Sequence, residues 1–420
     1  MDGGARHGRA SHNSVMKIAI ASSGLGHVSR GIEAWAHDLA YALRERGEDV
    51  ILCKGSGPAE SDFERTIPCI RRTGSWLNRL PRRGLWRIGL GSPYEVEATT
   101  FALNLLRVLR REHIDILHVQ DPLIALIVQR ARARKIVPTR AILGHGTNES
   151  LDFLNKITFV QHLAPYHQEQ ATRSGANKPT WTAIPNFIDT DTFHPGRNDA
   201  MRDELSIPRD AVVVLSVAAI KREHKRIDHL IREFAAITES SPDLPAYLLV
   251  AGGAESDTEE LVQLGRRRIG DKFQALVRFP RQRIADLYRA SDIFVLCSLR
   301  EMMPIALLEA TASGLPCIIN QHPSVEWIVG NGGRSINMVA PGALAGTLLQ
   351  FIEHRDQRVN LGGLARRHCL EHFSKDRVVT QILDYYRFVL DVGASAGVTM
   401  SAASGSPHAS RCEPALSLRE

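Results

Sequence analysis

Apolar and polar positions alternate along this chain in two patterns. Short apolar runs at residues 18–21, 50–53, 116–119, 140–143 and 157–160 read as buried strands. Between them, residues 32–46 carry apolar or small side chains at 32, 35, 36, 39, 40 and 43, the spacing of one helical face. Residues 95–111 and 123–134 read as helices in the same way. The alternation then restarts. Residues 212–217 (VVVLSV) form a nearly pure β-branched run of the kind buried parallel strands favour. Helix 227–236, strands 247–251 and 275–279, helix 284–290, strand 293–297, helix 304–313 and strand 316–320 follow. Residues 376–391 form a last amphipathic helix.

Strands alternating with helices predict βαβ units around parallel sheets. The expectation is an α/β protein with two sheets of similar size, joined by a linker near 185–197, where two prolines and a glycine fall. Residues 1–15 and 393–420 lack this periodicity. They read as a disordered leader, with Met16 as the natural start, and a disordered tail.

The length of 420 residues fits two or three domains. With 44% hydrophobic and 23% charged residues, the chain has a globular composition. No apolar run approaches the roughly 20 residues that cross a bilayer, and the first residues given contain no apolar stretch of the kind a secretory signal needs, so none is expected. Six cysteines form no CxxC pair and no metal-ligand spacing, which predicts reduced thiols, a cytoplasmic location and no metal. The net charge of +6 is local. Residues 71–87 (RRTGSWLNRLPRRGLWR) hold six arginines and no acid. A nucleic-acid binder should be basic more broadly, so no nucleic-acid partner is expected.

The candidate chemistry centres on Arg300-Glu301-Met302-Met303-Pro304-Ile305-Ala306-Leu307-Leu308-Glu309-Ala310 and the following Gly314-Leu315-Pro316. Pro304 suits the first position of a helix. The amides of Ile305 and Ala306 then point from a helix N-terminus at the carboxyl end of a parallel strand, where such sheets bind anions. Glu301 at the mouth and Glu309 deeper in the helix fit two hydroxyl-bearing parts of one ligand. Spacing alone reads equally well as a loop acid and a solvated helix acid. Ser22-Ser23-Gly24-Leu25-Gly26-His27 follows the first strand, and its glycines allow a phosphate or acceptor to approach closely. It lacks the third glycine of a dinucleotide fingerprint, so no nicotinamide cofactor is expected.

Glu-x7-Glu with its trailing Gly-Leu-Pro resembles the signature of retaining glycosyltransferases of family 4. So do Pro185-Asn186-Phe187-Ile188-Asp189 with Phe193 and Pro195, His118-Val119-Gln120-Asp121-Pro122, and Gly31-Ile32-Glu33 with Leu39, Ala40 and Leu43. The resemblance covers residues 16–391. It implies the GT-B fold, in which two Rossmann-like domains with parallel sheets face a central cleft. Residues 16–190 would bind the acceptor and 196–375 a nucleoside-diphosphate sugar, with helix 376–392 packing back on the first domain.

The resemblance also implies roles. Glu309 would hold the donor ribose, and Glu301 the hydroxyls of the transferred sugar. Lys225, in Lys221-Arg222-Glu223-His224-Lys225-Arg226, would neutralise the diphosphate. His145, between Gly144 and Gly146, would lie near the sugar and position it. Phe279 and Pro280 would border the donor base. Gly24, Gly26, His27, Gly31, His118 and Asp121 would line the acceptor or phosphate side. The implied reaction is a metal-independent front-face substitution with retention, moving the sugar to an unidentified hydroxyl acceptor.

The chain departs from the family pattern in places. Arg30 replaces a glycine before Gly31, and Ala218-Ala219 replaces the usual Gly-Arg. Arg222 or Arg226 would then have to serve the diphosphate. Met302-Met303-Pro304 replaces Gly-Phe-Gly. These changes keep open a non-catalytic scaffold that docks partners or membrane. Residues 71–87, where Trp76, Leu77, Leu80, Leu85 and Trp86 interleave with the arginines, read either as a contact with an anionic membrane at the inner face or as a loop closing over the cleft.

Overall fold

The computed structural model describes residues 16–28, 31–74 and 90–392. The readings made for residues 1–15, Arg30, most of the basic segment (75–87) and 393–420 lie outside the described residues.

Two all-parallel sheets form. The first contains β1 (Lys17–Ser22), β2 (Asp49–Lys54), β3 (Glu64–Thr66), β4 (Ile116–Val119), β5 (Arg140–His145), β6 (Phe159–His162) and β7 (Trp181–Ala183), ordered β3-β2-β1-β4-β5-β6-β7. The second contains β8 (Val212–Val217), β9 (Ala246–Gly252), β10 (Phe273–Val277), β11 (Ile293–Leu296), β12 (Cys317–Asn320) and β13 (Gly333–Ile336), ordered β10-β9-β8-β11-β12-β13. Both orders reverse direction beside their first strand. Such switch points leave a crevice outside the carboxyl ends of the strands. The loops after β1 and β4 meet at one crevice, and the loops after β8 and β11 at the other.

Three strands escape the sequence pattern for a simple reason. β3 and β7 have three residues each, and β13 is a polar edge strand of sequence GRSI. Two others are displaced. β6 starts two residues later than its apolar run suggests, which aligns His162 with His145 on β5. β10 ends at Val277 rather than 279, because Arg278 turns the chain with φ at 57°. Phe279 and Pro280 therefore lie in a loop.

The chain crosses between the domains twice, side by side. Outgoing Ile188 bridges returning Ser374, with Ile188 N–H donating to Phe373 O at 2.8 Å and Lys375 N–H to Ile188 O at 3.1 Å. Ser374 is extended and separates helix Arg355–Phe373 from helix Lys375–Asp391. The last helix lays Val378, Val379, Ile382 and Tyr386 against Ile18, Ile20, Trp35 and Leu39 of the first domain. Each such side chain contributes roughly 1.5–3 kcal/mol on burial, so the return crossing is well anchored. No helix among the described residues is long and apolar enough to cross a membrane.

Candidate active site

The loop after β8 carries Lys225 between two left-handed residues, His224 (φ 69°) and Arg226 (φ 51°). Non-glycine residues in this region cost of the order of 1–3 kcal/mol each and gather at functional sites. The turn is closed by Arg226 N–H donating to Arg222 O at 2.9 Å. It points the Lys225 ammonium at Glu301 Oε1, to which it donates a hydrogen bond. His224 Nε2 lies 3.3 Å from the same oxygen. Burial works against ionising Glu301. The His224 hydrogen bond and the Lys225 charge outweigh it and hold the carboxyl down at about 2.

Pro304 caps helix Ile305–Ala312 from outside instead of opening it as the sequence suggested. Ile305 and Ala306 are then its first two residues, whose N–H groups have no acceptor within a helix. The start of the first-domain helix Gly31–Glu45 faces them: a Cβ on Gly31 would lie 3.9 Å from Ile305 Cγ1. The two helix N-termini thus converge across the cleft, where an anion gains from both dipoles.

Glu309 is 2% exposed, which rules out a solvated helix acid. Tyr288 donates its hydroxyl to Oε2 at 2.8 Å. Arg281 approaches Oε1 at 3.4 Å and also reaches Asp38 of the first domain at 3.4 Å. Burial pushes the Glu309 carboxyl up against the opposing pull of Arg281 and Tyr288. Arg281 directly follows Phe279 and Pro280, so the loop after β10 borders Glu309.

On the first domain, the loop after β1 curls back over Gly24, with Val28 N–H donating to Gly24 O at 2.9 Å. Gly26 has φ at 96°, and a Cβ there would meet Ser56 O at 2.1 Å, so only glycine fits. A Cβ on Gly24 would lie 2.2 Å from Glu33 Oε1. Beneath this loop is a buried polar network. Asp121 accepts from Ser23 N–H at 3.3 Å and Tyr94 O–H at 3.1 Å. Glu97 accepts from Arg72 Nε at 2.8 Å and Arg72 N–H at 2.7 Å, and pairs with His27 Nε2 at 2.8 Å. Burial would raise Glu97, but the bonds from Arg72 and His27 lower it overall. Burial raises Asp121. A cavity of about 490 Å³ opens beside the network, lined by Ile32, Arg72, Ser92, Pro93, Tyr94 and Thr147.

His145 ends β5 and is buried. Its Nδ1 lies 3.0 Å from His162 Nδ1, and its Nε2 3.9 Å from Glu149 Oε2. His167 packs on it at 5.6 Å between ring centroids and meets Ser324 of the second domain at 3.2 Å. Burial, reinforced by the neighbouring imidazoles, pushes His145 down to about 3.

Three sequence-based assignments land elsewhere. His118 points away from the cleft. It is fully buried between Trp35 and Tyr386, whose hydroxyl lies 2.8 Å from its Nδ1, because β4 turns that position toward the terminal helix. Arg222 forms a two-pronged pair with Glu260 at 2.6 and 2.8 Å on the outside of the domain. Arg226 donates to Met338 O at 2.9 Å. Arg72, which the sequence grouped with a membrane-facing patch, turns into the first-domain crevice. Sequence reading also missed Glu97, Tyr94, Tyr288, His162 and His167. Glu97 left a signal, since it precedes Phe101 and Leu105 at four-residue spacing on the apolar stripe of its helix. Among the described residues, no group of His, Cys, Asp and Glu is arranged to hold a metal ion.

Family comparisons agree with this layout. The description "Glycosyl transferases group 1" matches residues 197–368, and "Glycosyltransferase Family 4" matches residues 29–192. The two matches meet at the outgoing domain crossing and together span most of the chain. This chain is a group 1 glycosyltransferase of the GT-B type. Such a glycosyltransferase places its cleft where the two switch points face each other. The chain is 25% identical over 319 residues to the N-acetyl-alpha-D-glucosaminyl L-malate synthase of Bacillus anthracis, covering 71% of this chain and 80% of that one. It is 30% identical over 221 residues to a D-inositol 3-phosphate glycosyltransferase of Rhodococcus erythropolis, a match that spans 51% of this chain and only 49% of that enzyme. The sucrose-phosphate synthase of Thermosynechococcus elongatus shares the fold at a TM-score of 0.73 with 20% identity, over 90% of this chain and 100% of that one.

Proposed function

We propose that this glycosyltransferase moves a sugar, with retention and without a metal ion, from a nucleoside-diphosphate sugar to a hydroxyl acceptor. The observation that carries the reading is the Lys225–Glu301 pair at the cleft mouth, with the buried Glu309 beyond the helix N-terminus that separates them. Glu309 receives the ribose hydroxyls. The diphosphate lies against the amides of Ile305 and Ala306 and draws Lys225 onto its oxygens. Glu301, released from Lys225, accepts hydroxyls of the sugar.

The bond from the sugar C1 to the diphosphate oxygen breaks as the acceptor oxygen bonds to C1 from the same face. The acceptor proton passes to the departing phosphate oxygen. Charge grows on the diphosphate at the transition state, and a fixed ammonium is worth most there. Lys225 supplies that charge and so takes the part a metal plays elsewhere. His145 is neutral at physiological pH, and its role is to position the sugar.

The acceptor occupies the cavity beside Tyr94 and Arg72. Its size suits a small polar molecule, as do the malate and inositol phosphate in the relatives' names. The test is the stereochemistry of turnover. Incubation with UDP-, GDP- and ADP-sugars and small polyol or hydroxy-acid acceptors, followed by NMR of the new linkage, should give the donor's anomeric configuration with or without EDTA. An inverted product, or activity abolished by EDTA, would overturn the mechanism. A protein inert to every donor would favour the scaffold.

A further inference from the structure

Tyr288 belongs to none of the motifs that mark this site, yet it makes the shortest contact to Glu309. Its ring is fixed in the core of the second domain, edge-on to Phe193 at 5.8 Å and tilted on Phe294 at 5.9 Å. It is fully buried. Its hydroxyl lies 2.8 Å from Glu309 Oε2 and 3.0 Å from Ala306 O. A hydroxyl has one proton, and the closer acceptor, the Glu309 carboxyl oxygen, takes it.

The two oxygens of Glu309 are therefore unequal. Oε2 is bound from inside the core by a group that cannot move. Oε1 faces Arg281 at 3.4 Å, a long contact from a side chain that is about half exposed (52%) and shared with Asp38 across the cleft. One clamp is permanent and the other removable.

We propose that Tyr288 is a positioning residue that locks the Glu309 carboxylate with Oε1 toward the cleft, and that Arg281 covers this oxygen until a ribose diol replaces it. The proposal rests on the assignment of Glu309 to the donor ribose. Without the Tyr288 hydroxyl the carboxylate rotates about its last bond, and its buried oxygen seeks another donor. The ribose then meets a disordered acceptor, while the base and diphosphate contacts stay as they were.

The test compares nucleoside diphosphates with and without the diol. Titration calorimetry would measure UDP, GDP and ADP, each against its 2′,3′-dideoxy form, on the full chain and on Tyr288→Phe. For the diphosphate that binds, the wild type should prefer the ribose form by about tenfold, the scale of one charge-assisted hydrogen bond. In Tyr288→Phe that preference should shrink toward one, with dideoxy affinity changed less than about twofold. Equal losses for both forms, or an unchanged preference, would overturn the proposal. A wild type indifferent to the diol would instead remove the ribose assignment, and this proposal with it.

Glu309→Gln provides a second background that relieves the buried charge and keeps the side chain's shape. There, adding Tyr288→Phe should leave the weakened diol preference as it is, because coupled residues are non-additive. A further large drop in that preference would show that Tyr288 acts by another route.

Discussion

The Lys225 ammonium donates to Glu301 Oε1 across 76 residues of sequence, joining the loop after β8 to the loop after β11. The pair sits at the mouth of the cleft with both side chains largely enclosed, 19% and 10% exposed. In the proposed reaction this cation has two partners, the carboxylate at rest and a diphosphate during turnover. Lys225→Ala should therefore lower turnover about 100-fold or more, the usual loss when a preorganised group facing developing charge is removed. The donor KM should rise less. Steady-state kinetics at saturating donor measure this, and a change confined to KM would contradict the role.

The same pair sets an acid-dependent contribution to stability. Glu301 is held at about 2, below its ordinary 4.5. A lowered carboxyl stabilises the fold above its unfolded pKa and loses that contribution as pH falls toward the folded value. The stability difference between wild type and Glu301→Gln should be flat above about pH 5.5 and shift against the wild type between about 4.5 and 2. Urea unfolding across that range reads it, and a difference constant down to pH 3 would contradict the pairing.

The buried histidines act on a higher window. Burial holds His145 at about 3 and His162 and His167 at about 4, against 6.5 when free. The unfolded chain therefore binds more protons below pH 6.5, and stability should fall as pH drops from about 7 toward 4, by up to about 1.4 kcal/mol per pH unit for each group. His162→Gln should have a shallower slope than the wild type in chemical denaturation between pH 7.5 and 4.5. Parallel slopes would count against a neutral, buried cluster.

Arg72 and Glu97 form a largely enclosed ion pair in the first-domain crevice, 18% and 0% exposed. Removing Arg72 leaves a buried carboxylate with only His27 and backbone for company. Arg72→Met should destabilise the chain by roughly 3 kcal/mol, and adding Glu97→Gln should restore much of that loss. Thermal unfolding of the two variants checks the order. If the double variant is less stable than the single one, the pair is not the isolated unit described.

The fold was legible because both sheets are parallel and buried, so their strands appear as short apolar runs that turn and helix signals separate. β8 is the clearest case. What stayed hidden lacked a local mark. β3 and β13 are short edges held by neighbours rather than by their own residues. Arg72 looks like the other arginines of its segment, and only the fold turns it toward Glu97. His118 resembled a site residue because His118-Val119-Gln120-Asp121-Pro122 is similar to a family motif, yet the strand's pleat turns it to Tyr386. Glu301 and Glu309 were legible through their spacing and family pattern. Their partners Lys225 and Tyr288 come from the loop after β8 and from helix Ile284–Arg289, so contact between them is a property of topology.

The central claim is that the cleft binds a nucleoside diphosphate through Glu309 and needs no metal. A thermal-shift panel with UDP, GDP, ADP and TDP, with and without EDTA, on wild type and Glu309→Ala, tests it most directly. At about 100 times its dissociation constant a ligand stabilises by about 2.7 kcal/mol. The expected result is a clear shift of the wild type with one diphosphate, unchanged by EDTA and largely lost in Glu309→Ala. No shift with any diphosphate, a shift that EDTA abolishes, or an equal shift in the variant would contradict it.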